Sequence, residues 1–330
     1  MHILRRSLLA ATTLMVLVGC GAAAAAAPVV HSEHGEAGAA ETAALAMALR
    51  ADVNMLADEI GPRRAGYGGA LNRAAEWIEG QFGAAGWTVT RQRCDVPAGA
   101  CWNLVVERTG STRPEEVVIV GAHYDTVLNT PGADDNASGV AALLALVRRF
   151  GAVAPERTVR FVAFTNEEPP YFHTGQMGSL VHAWECQARG ERVVAMLSLE
   201  SLGFFADERK SQRYPFPLSL FYPSRGNFVA VVGNRESRRL VAQVARRLRA
   251  AERIPVEAAA LPGRWPGVGF SDHWSFWQAG YPAVMVTDTA LFRNPHYHRP
   301  TDRPDTLDYE RLAATVLGLH AVVAELIGAE

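Results

Sequence analysis

Lysine is almost missing from this 330-residue chain. Lys210 is the only one, so the rest of the 32 basic side chains are arginine. That is a bias of coding composition and assigns no function. An excess of either charge is also missing: 32 basic against 34 acidic residues leaves a formal charge of −2. Neither a basic nucleic-acid binder nor an acidic tail protein is suggested by that balance. Charge is scarce overall, at 20% of residues against 49% apolar ones. Periodic apolar segments run through most of the chain, which excludes general disorder. No internal repeat is evident, and no linker is evident after residue 40. The length suits one large α/β domain or two small ones.

The apolar stretch near the start, Leu8 to Val18, is too short for a spanning helix of about 20 residues. It follows Arg5 and Arg6 and reads as the core of an export signal. Leu17-Val18-Gly19-Cys20 resembles a bacterial lipobox, which implies cleavage before Cys20 and lipidation of its thiol. Gly21, rather than aspartate, follows; by resemblance to enterobacterial lipoproteins this favours the periplasmic side of the outer membrane. The other reading is an ordinary secretory signal with a chance cysteine, giving a periplasmic or secreted protein. Residues 1–20 are therefore expected to be a signal peptide, and residues 21–40, which open alanine-rich, a flexible tether. Residues 41–330 are expected to form one catalytic domain.

Three cysteines remain. Cys94 and Cys101 flank VPAGA, which reads as a hairpin turn between VTRQRC and CWNLVVE. A short cross-strand disulfide is the expectation there, since export permits one, with Cys186 a buried free thiol.

Leu45, Leu49, Val53, Leu56 and Ile60 share one helical face, stopped by Gly61-Pro62. A second helix is expected over 71–82. Val117–Gly121 is an all-apolar run suited to a central strand covered on both faces. A helix is expected over 136–150, with Asp135 or Asn136 at its N-cap. Strands are expected over 158–165, 193–199, 228–232 and 283–286, and helices over 236–250 and 309–327. Residues 204–225, rich in Phe, Tyr and Pro, read as a long ordered loop. Strands alternating with helices imply a mostly parallel sheet between helical layers.

In such sheets ligands bind at the carboxyl ends of the strands. Those ends carry His123 and Asp125, then Glu167-Glu168, then Glu200, and near the chain end His296 and His298; Asp134 and Asp135 precede a helix. Each alone is a weak signal. A strand-end histidine is more often a satisfied hydrogen-bonder, Asp135 could be a helix cap, and a Glu-Glu pair is usually solvated. Glu200 says most, because a carboxylate after the apolar run MLSL is expected to be buried, and a buried carboxylate needs a partner or a metal. Together they suit two zinc ions about 3.5–4 Å apart, which polarise a carbonyl and activate a water. One carboxylate then bridges the ions, and another stays free to move protons.

The motifs GAHYDTV, PGADDNASGVA, NEE, SLE, SDHWSFWQAGYPA and HYHRPTDRPDT, in that order, resemble the family-28 zinc metallopeptidases. That superfamily also holds glutamate carboxypeptidases and glutaminyl cyclases. The resemblance runs from about Leu45 to Ile327, and implies a three-layer α/β/α sandwich around a mixed, mostly parallel sheet. It implies that Asp135 bridges two zincs, with His123 and Glu200 completing one site and Glu168 and His298 the other. Glu167 matches the general base, acting on a water held between the zincs. Asp125 matches a carboxylate that orients His123.

The chain departs from the family in three places. Glu200 stands where many members have aspartate. EEPPYFHTGQMGS replaces a shorter EExGxxGS, so that Tyr171, Phe172 and His173 are expected to edge the substrate pocket. GVGFSDH lacks the tyrosine that one bacterial member uses on the oxyanion, which leaves Tyr297 and His273 as candidates. His296 competes with His298 as a ligand, and the HxxTD spacing favours His298.

The resulting expectation is an exported, lipid-anchored di-zinc aminopeptidase acting on peptides with a free amino terminus. It binds no nucleic acid, and its oligomeric state is left open. A di-zinc carboxypeptidase would need a cation for the substrate carboxylate, for which Arg299 and Arg303 are candidates. A glutaminyl cyclase needs one zinc, and its branch lacks the GADDNASG form. A non-enzymatic receptor-like domain would have lost ligands that this chain retains.

Overall fold

The computed structural model describes residues 36–329. The expected signal peptide, with Cys20, and the expected tether up to residue 35 lie outside the described residues. Among the described residues no helix is long and apolar enough to cross a membrane.

The first helix, α1 (Glu36–Asn54), begins inside the span expected to be a tether. EAGAAETAALA is rich in strong helix formers, and that propensity extends the helix back across residues 36–40. A wider-wound turn, Met55–Ile60, continues it to Gly61, whose φ of 79° ends the run. Helix α2 (Ala70–Ala84) buries Leu71, Ala74, Ala75, Ile78 and Phe82, the spacing of a single face.

An eight-stranded sheet follows. In chain order it comprises β1 (Val89–Val96), β2 (Gly99–Arg108), β3 (Arg113–His123), β4 (Arg157–Phe164), β5 (Arg192–Glu200), β6 (Val229–Asn234), β7 (Val256–Leu261) and β8 (Ala283–Thr287). In space the order is β1-β2-β4-β3-β5-β8-β6-β7. The block β4-β3-β5-β8 is parallel, β1-β2-β4 and β8-β6 are antiparallel, and β6-β7 is parallel. The mixed, mostly parallel sheet expected from the sequence is therefore what forms. The remaining helices are α3 (Gly139–Arg149), α4 (Gly178–Ala188), α5 (Arg238–Ala250), α6 (His273–Gln278), α7 (Ala290–Arg293) and α8 (Tyr309–Ile327).

Alternation along β3 shows the layers. Val118, Val120 and Ala122 join the main core with α1, α2, α3, α5 and α8, while Val117 and Ile119 join a second core with α4 and α6. Across β8, β6 and β7 the main-core face carries Val284, Val286, Val229, Val231 and Val256. The opposite face of these three strands borders an open pocket roofed by the 204–225 loop.

The structure revises three local expectations. The 136–150 helix starts at Gly139, because Asp135 (φ −107°, ψ 92°) and Asn136 (φ −134°, ψ 39°) are not helical. The hairpin turn is tighter than VPAGA, since Val96 already pairs with Gly99. Cys94 and Cys101 face each other across that hairpin as buried free thiols, without the expected bridge. The Cys94 sulfur sits 3.9 Å from the Gln92 carbonyl on its own strand. Burial pushes its thiol up to about 12, which starves the reactive thiolate. Cys186 is a buried free thiol, as expected.

Candidate active site

The parallel strands β4, β3 and β5 end side by side, and their ends deliver Glu167 and Glu168, His123, and Glu200 to one rim. The Asp134-Asp135 turn enters this rim through Gly132, whose φ of 64° suits glycine. A Cβ there would run into Asp135 O and the Thr126 methyl. His298 arrives on the loop after α7.

Asp135 stands at the centre. Its Oδ1 lies 3.3 Å from His123 Nε2, and its Oδ2 lies 3.0 Å from His298 Nε2. Glu200 Oε2 is 3.2 Å from His123 Nε2, and Glu168 Oε1 is 3.4 Å from His298 Nε2. Two donor triads result, His123–Asp135–Glu200 and Asp135–Glu168–His298, which share Asp135. All five residues expected as ligands from the sequence are brought together.

These donors fit zinc. Each triad is imidazole plus carboxylate, the donor set that zinc accepts. Donor atoms at 2.0–2.1 Å around a tetrahedral zinc are about 3.3 Å apart, close to the separations seen. Glu168 Oε1 is buried and accepts no hydrogen bond, so it has capacity for a cation. His123 donates from Nδ1 to the Asp125 carbonyl at 3.2 Å, which leaves Nε2 as the lone-pair nitrogen facing the cluster.

Burial alone would pull His298 down, but Asp135 and Glu168 outweigh it and raise the imidazole to about 10. Burial and the nearby Asp135 push Glu168 up to about 8. Burial opposes ionisation of Asp135 too, yet His123 and His298 hold it well below the usual carboxylate range. Glu167 belongs to neither triad. Its Oε2 lies 3.9 Å from His123 Nε2. Burial raises its carboxyl well above the ordinary value, and Glu168, Glu200 and Asp272 add to the rise against His123.

The scaffold beneath is made of carboxylate-to-backbone bonds. The Asp125 carboxylate accepts the Glu167 and Glu168 N–H groups, each at 3.0 Å. It lies 3.6 Å from His123 Nδ1, so the Asp125 carbonyl orients the imidazole while its carboxylate positions the two glutamates. Asp302 does the same for the facing loop, accepting the Asp134 N–H at 2.9 Å and the Asp135 N–H at 3.2 Å. Arg63 is fully buried and donates to the carbonyls of Leu56, Tyr124, Pro131 and Gly132, which pins the turn that carries Asp135. Ser201 and Ser271 donate to the two Glu200 oxygens at 2.9 and 2.7 Å. Asp302, Arg63 and these serines were given no role from sequence. The TD of HRPTD and the buried-helix stop GPR were the signals available.

His296 turns away from the cluster and bonds Thr301 Oγ1 at 3.0 Å, which leaves His298 as the histidine at the site. Tyr297 stacks on His298 with ring centroids 3.9 Å apart. His273 is fully buried, bonds the Val268 carbonyl at 2.7 Å, and does not line the cleft. Of the inserted residues, Phe172 does edge it. The cleft spans about 640 Å³ and a neighbouring pocket about 860 Å³, both open to solvent; the two share Glu200, Phe270, Leu291 and Tyr297.

Comparison with known proteins gives the family and the fold. Residues 103–323 match the family model described as Peptidase family M28. The chain is 41% identical over 281 residues to the uncharacterized protein YfbL of Escherichia coli K12, covering 82% of this chain and 85% of that one. Its fold is similar to that of BSAP, a zinc aminopeptidase from Bacillus subtilis, with a TM-score of 0.67, 17% identity and coverage of 86% and 95%. It is also similar to a glutaminyl cyclase from Fimbriiglobus ruber, with a TM-score of 0.61, 20% identity and coverage of 84% and 94%. The chain belongs to peptidase family M28 and is a metallopeptidase.

Proposed function

We propose that this metallopeptidase is a di-zinc aminopeptidase, which removes residues from the free amino terminus of peptides. The observation that carries this reading is the division of Asp135 between two histidine–carboxylate triads, with Glu167 left over beside them. His123, Asp135 and Glu200 would hold one zinc, and Asp135, Glu168 and His298 the other. Zinc held there would supply Lewis-acid polarisation of the scissile carbonyl and a water acidic enough to attack near neutral pH. Glu167, buried and outside both triads, takes the attacking water's proton and passes it to the leaving amine. Tyr297 lines the cleft and remains the candidate oxyanion donor once His273 is set aside.

The cleft lining supports an amino-terminal rather than carboxy-terminal mode. It carries Asp135, Glu167, Glu168 and Glu200 and no arginine, so it suits an ammonium and lacks the clamp a substrate carboxylate would want. Arg303 faces Asp58 at 3.7 Å, and neither it nor Arg299 lines the cleft. Two complete triads also favour this reading over a one-zinc cyclase. The test compares a free-amine leucine anilide with its N-acetylated form. Cleavage of the free form alone is expected, and Arg299→Ala and Arg303→Ala should keep that activity within about tenfold, because rim arginines are not asked to bind a carboxylate. Release of a C-terminal residue from an N-blocked dipeptide, abolished by either change, would overturn it.

We also propose export and lipid anchoring at Cys20, on the strength of the LVGC motif alone. Cys20→Ser should move the active enzyme from the membrane to the soluble fraction. Retention in washed membranes would contradict the anchor.

A further inference from the structure

The pocket beside the cleft has a floor that strand register makes explicit. Glu200 on β5 pairs with Thr287 on β8, Thr287 with Ala230 on β6, and Ala230 with Glu257 on β7. Residues paired in register share a sheet face, so these four form one row across four strands. At about 4.8 Å per strand the row places Glu257 about 14 Å from Glu200 along the backbone. Both glutamates line the pocket, and the two residues between them are small. One end of the row thus belongs to a donor triad, and the other ends in a second acid.

The polar groups around Glu257 are already engaged. Tyr214 and Tyr222 stack at 5.7 Å and donate their hydroxyls to the carbonyls of Pro223 and Ala258. Gln212 is bonded to Thr289 and Arg293. Arg249, whose charge acts on Glu257, donates Nε and Nη2 to the Val256 carbonyl. Among the described residues no hydrogen bond and no ion pair within 4.0 Å reaches the Glu257 carboxylate. Burial raises its carboxyl above the ordinary value, against the pull of Arg249. A half-buried carboxylate without a hydrogen-bond partner of its own, at the end of a largely apolar pocket, favours a cationic occupant over an aliphatic one.

We propose that this pocket receives the side chain of the substrate's N-terminal residue, and that Glu257 selects a long cationic one, arginine above lysine. The inference rests on the aminopeptidase reading. The substrate backbone lies at the Glu200 end, so only a long side chain reaches the far acid. A planar guanidinium both pairs with a carboxylate and stacks on the tyrosine faces, which a compact ammonium does less well.

The test measures kcat/KM for arginine, lysine and leucine anilides on zinc-loaded wild type and Glu257→Gln. A wild-type arginine-to-leucine ratio of roughly ten or more is expected, falling at least about tenfold in the variant as the charge-assisted contact is lost. An equal loss on both substrates, or a wild-type preference for leucine that the variant leaves unchanged, would overturn the proposal. A second arm needs no turnover: calorimetric binding of butylguanidinium to both proteins. Binding at least about tenfold weaker in Glu257→Gln is expected, and equal binding, or none to wild type, counts against it. If no free-amine anilide is cleaved at all, the aminopeptidase reading fails. The butylguanidinium arm then decides by itself whether Glu257 is a guanidinium site.

Discussion

The cleft and the pocket share a wall but are built on opposite plans. At and beneath the cleft, buried acids are tied to fixed partners: Asp125 to two backbone N–H groups, Asp302 to two more, and Glu200 to two serines. In the pocket the floor is a sheet face without a helix, the roof is a loop, and the one acid at its far end has no hydrogen-bond partner among the described residues. Side chains that do chemistry need fixed positions, so the chain spends buried polar networks on them. A recognition surface needs shape and one unmet charge. The same parallel strand, β5, serves both, since Glu200 ends a triad on one side and begins the pocket floor on the other.

Three substitutions break that comparison at different strengths, and a fourth tests a site outside it. Glu167→Gln should lower kcat/KM by about 10²–10⁴-fold while zinc content stays at the wild-type level, because only proton transfer is removed. Near-normal turnover in a zinc-replete variant would remove Glu167 from the reaction. Asp302→Asn should cost roughly 10–100-fold in metal affinity or activity, the usual scale for a residue supporting a ligand. An amide presents one acceptor and one donor to two N–H groups, so the Asp135 loop loses a bond; the measurement is zinc retention during dialysis against a chelator. Ala230→Phe puts a ring in the middle of the pocket floor. It should lower the ratio of activity on large to small N-terminal residues by about tenfold or more, within the range of pocket-shape discrimination, leaving zinc content unchanged.

The smallest effect lies outside both regions. His182 is buried, with Nδ1 2.8 Å from Gln92 Oε1 and Nε2 3.5 Å from Arg160 Nη1. Burial first, then Arg160, lowers its imidazole to about 3. The unfolded chain takes up this proton near pH 6.5 and the folded one does not. Stability is therefore full above pH 6.5 and declines as pH falls toward 3. His182→Gln should remove roughly 2–3 kcal/mol of the loss between pH 7 and pH 4.5, read from urea melts of both proteins. Parallel decline in the two would show that His182 does not titrate this way.

What was legible in sequence follows the same division. His123, Glu167-Glu168 and Glu200 stand directly after apolar strands, so strand prediction alone brought them to one rim. Helix α8 forms over the expected Tyr309–Ile327, because its periodicity is local. Asp302 and Arg63 were not legible as supports, since their partners lie 168 and 69 positions away at Asp134 and Gly132. Strand β7 is not legible in sequence because VEAAAL is alanine-rich and weak in strand propensity. Without β7 the row from Glu200 to Glu257 does not exist on paper, as register is a property of four strands together. Asp135 read as a possible cap because strand–aspartate–helix is the usual capping order; only the non-helical backbone at 135 and 136 turns it into the cleft.

The central claim is that one carboxylate, Asp135, is shared by two metal sites in a cleft whose free glutamate moves protons. Anomalous diffraction at the zinc edge, from crystals grown with zinc, tests it most directly. The account predicts two peaks about 3.5–4 Å apart, one among His123, Asp135 and Glu200 and the other among Asp135, Glu168 and His298, with Glu167 bound to neither. A single peak, or two peaks that do not both contact Asp135, would contradict it.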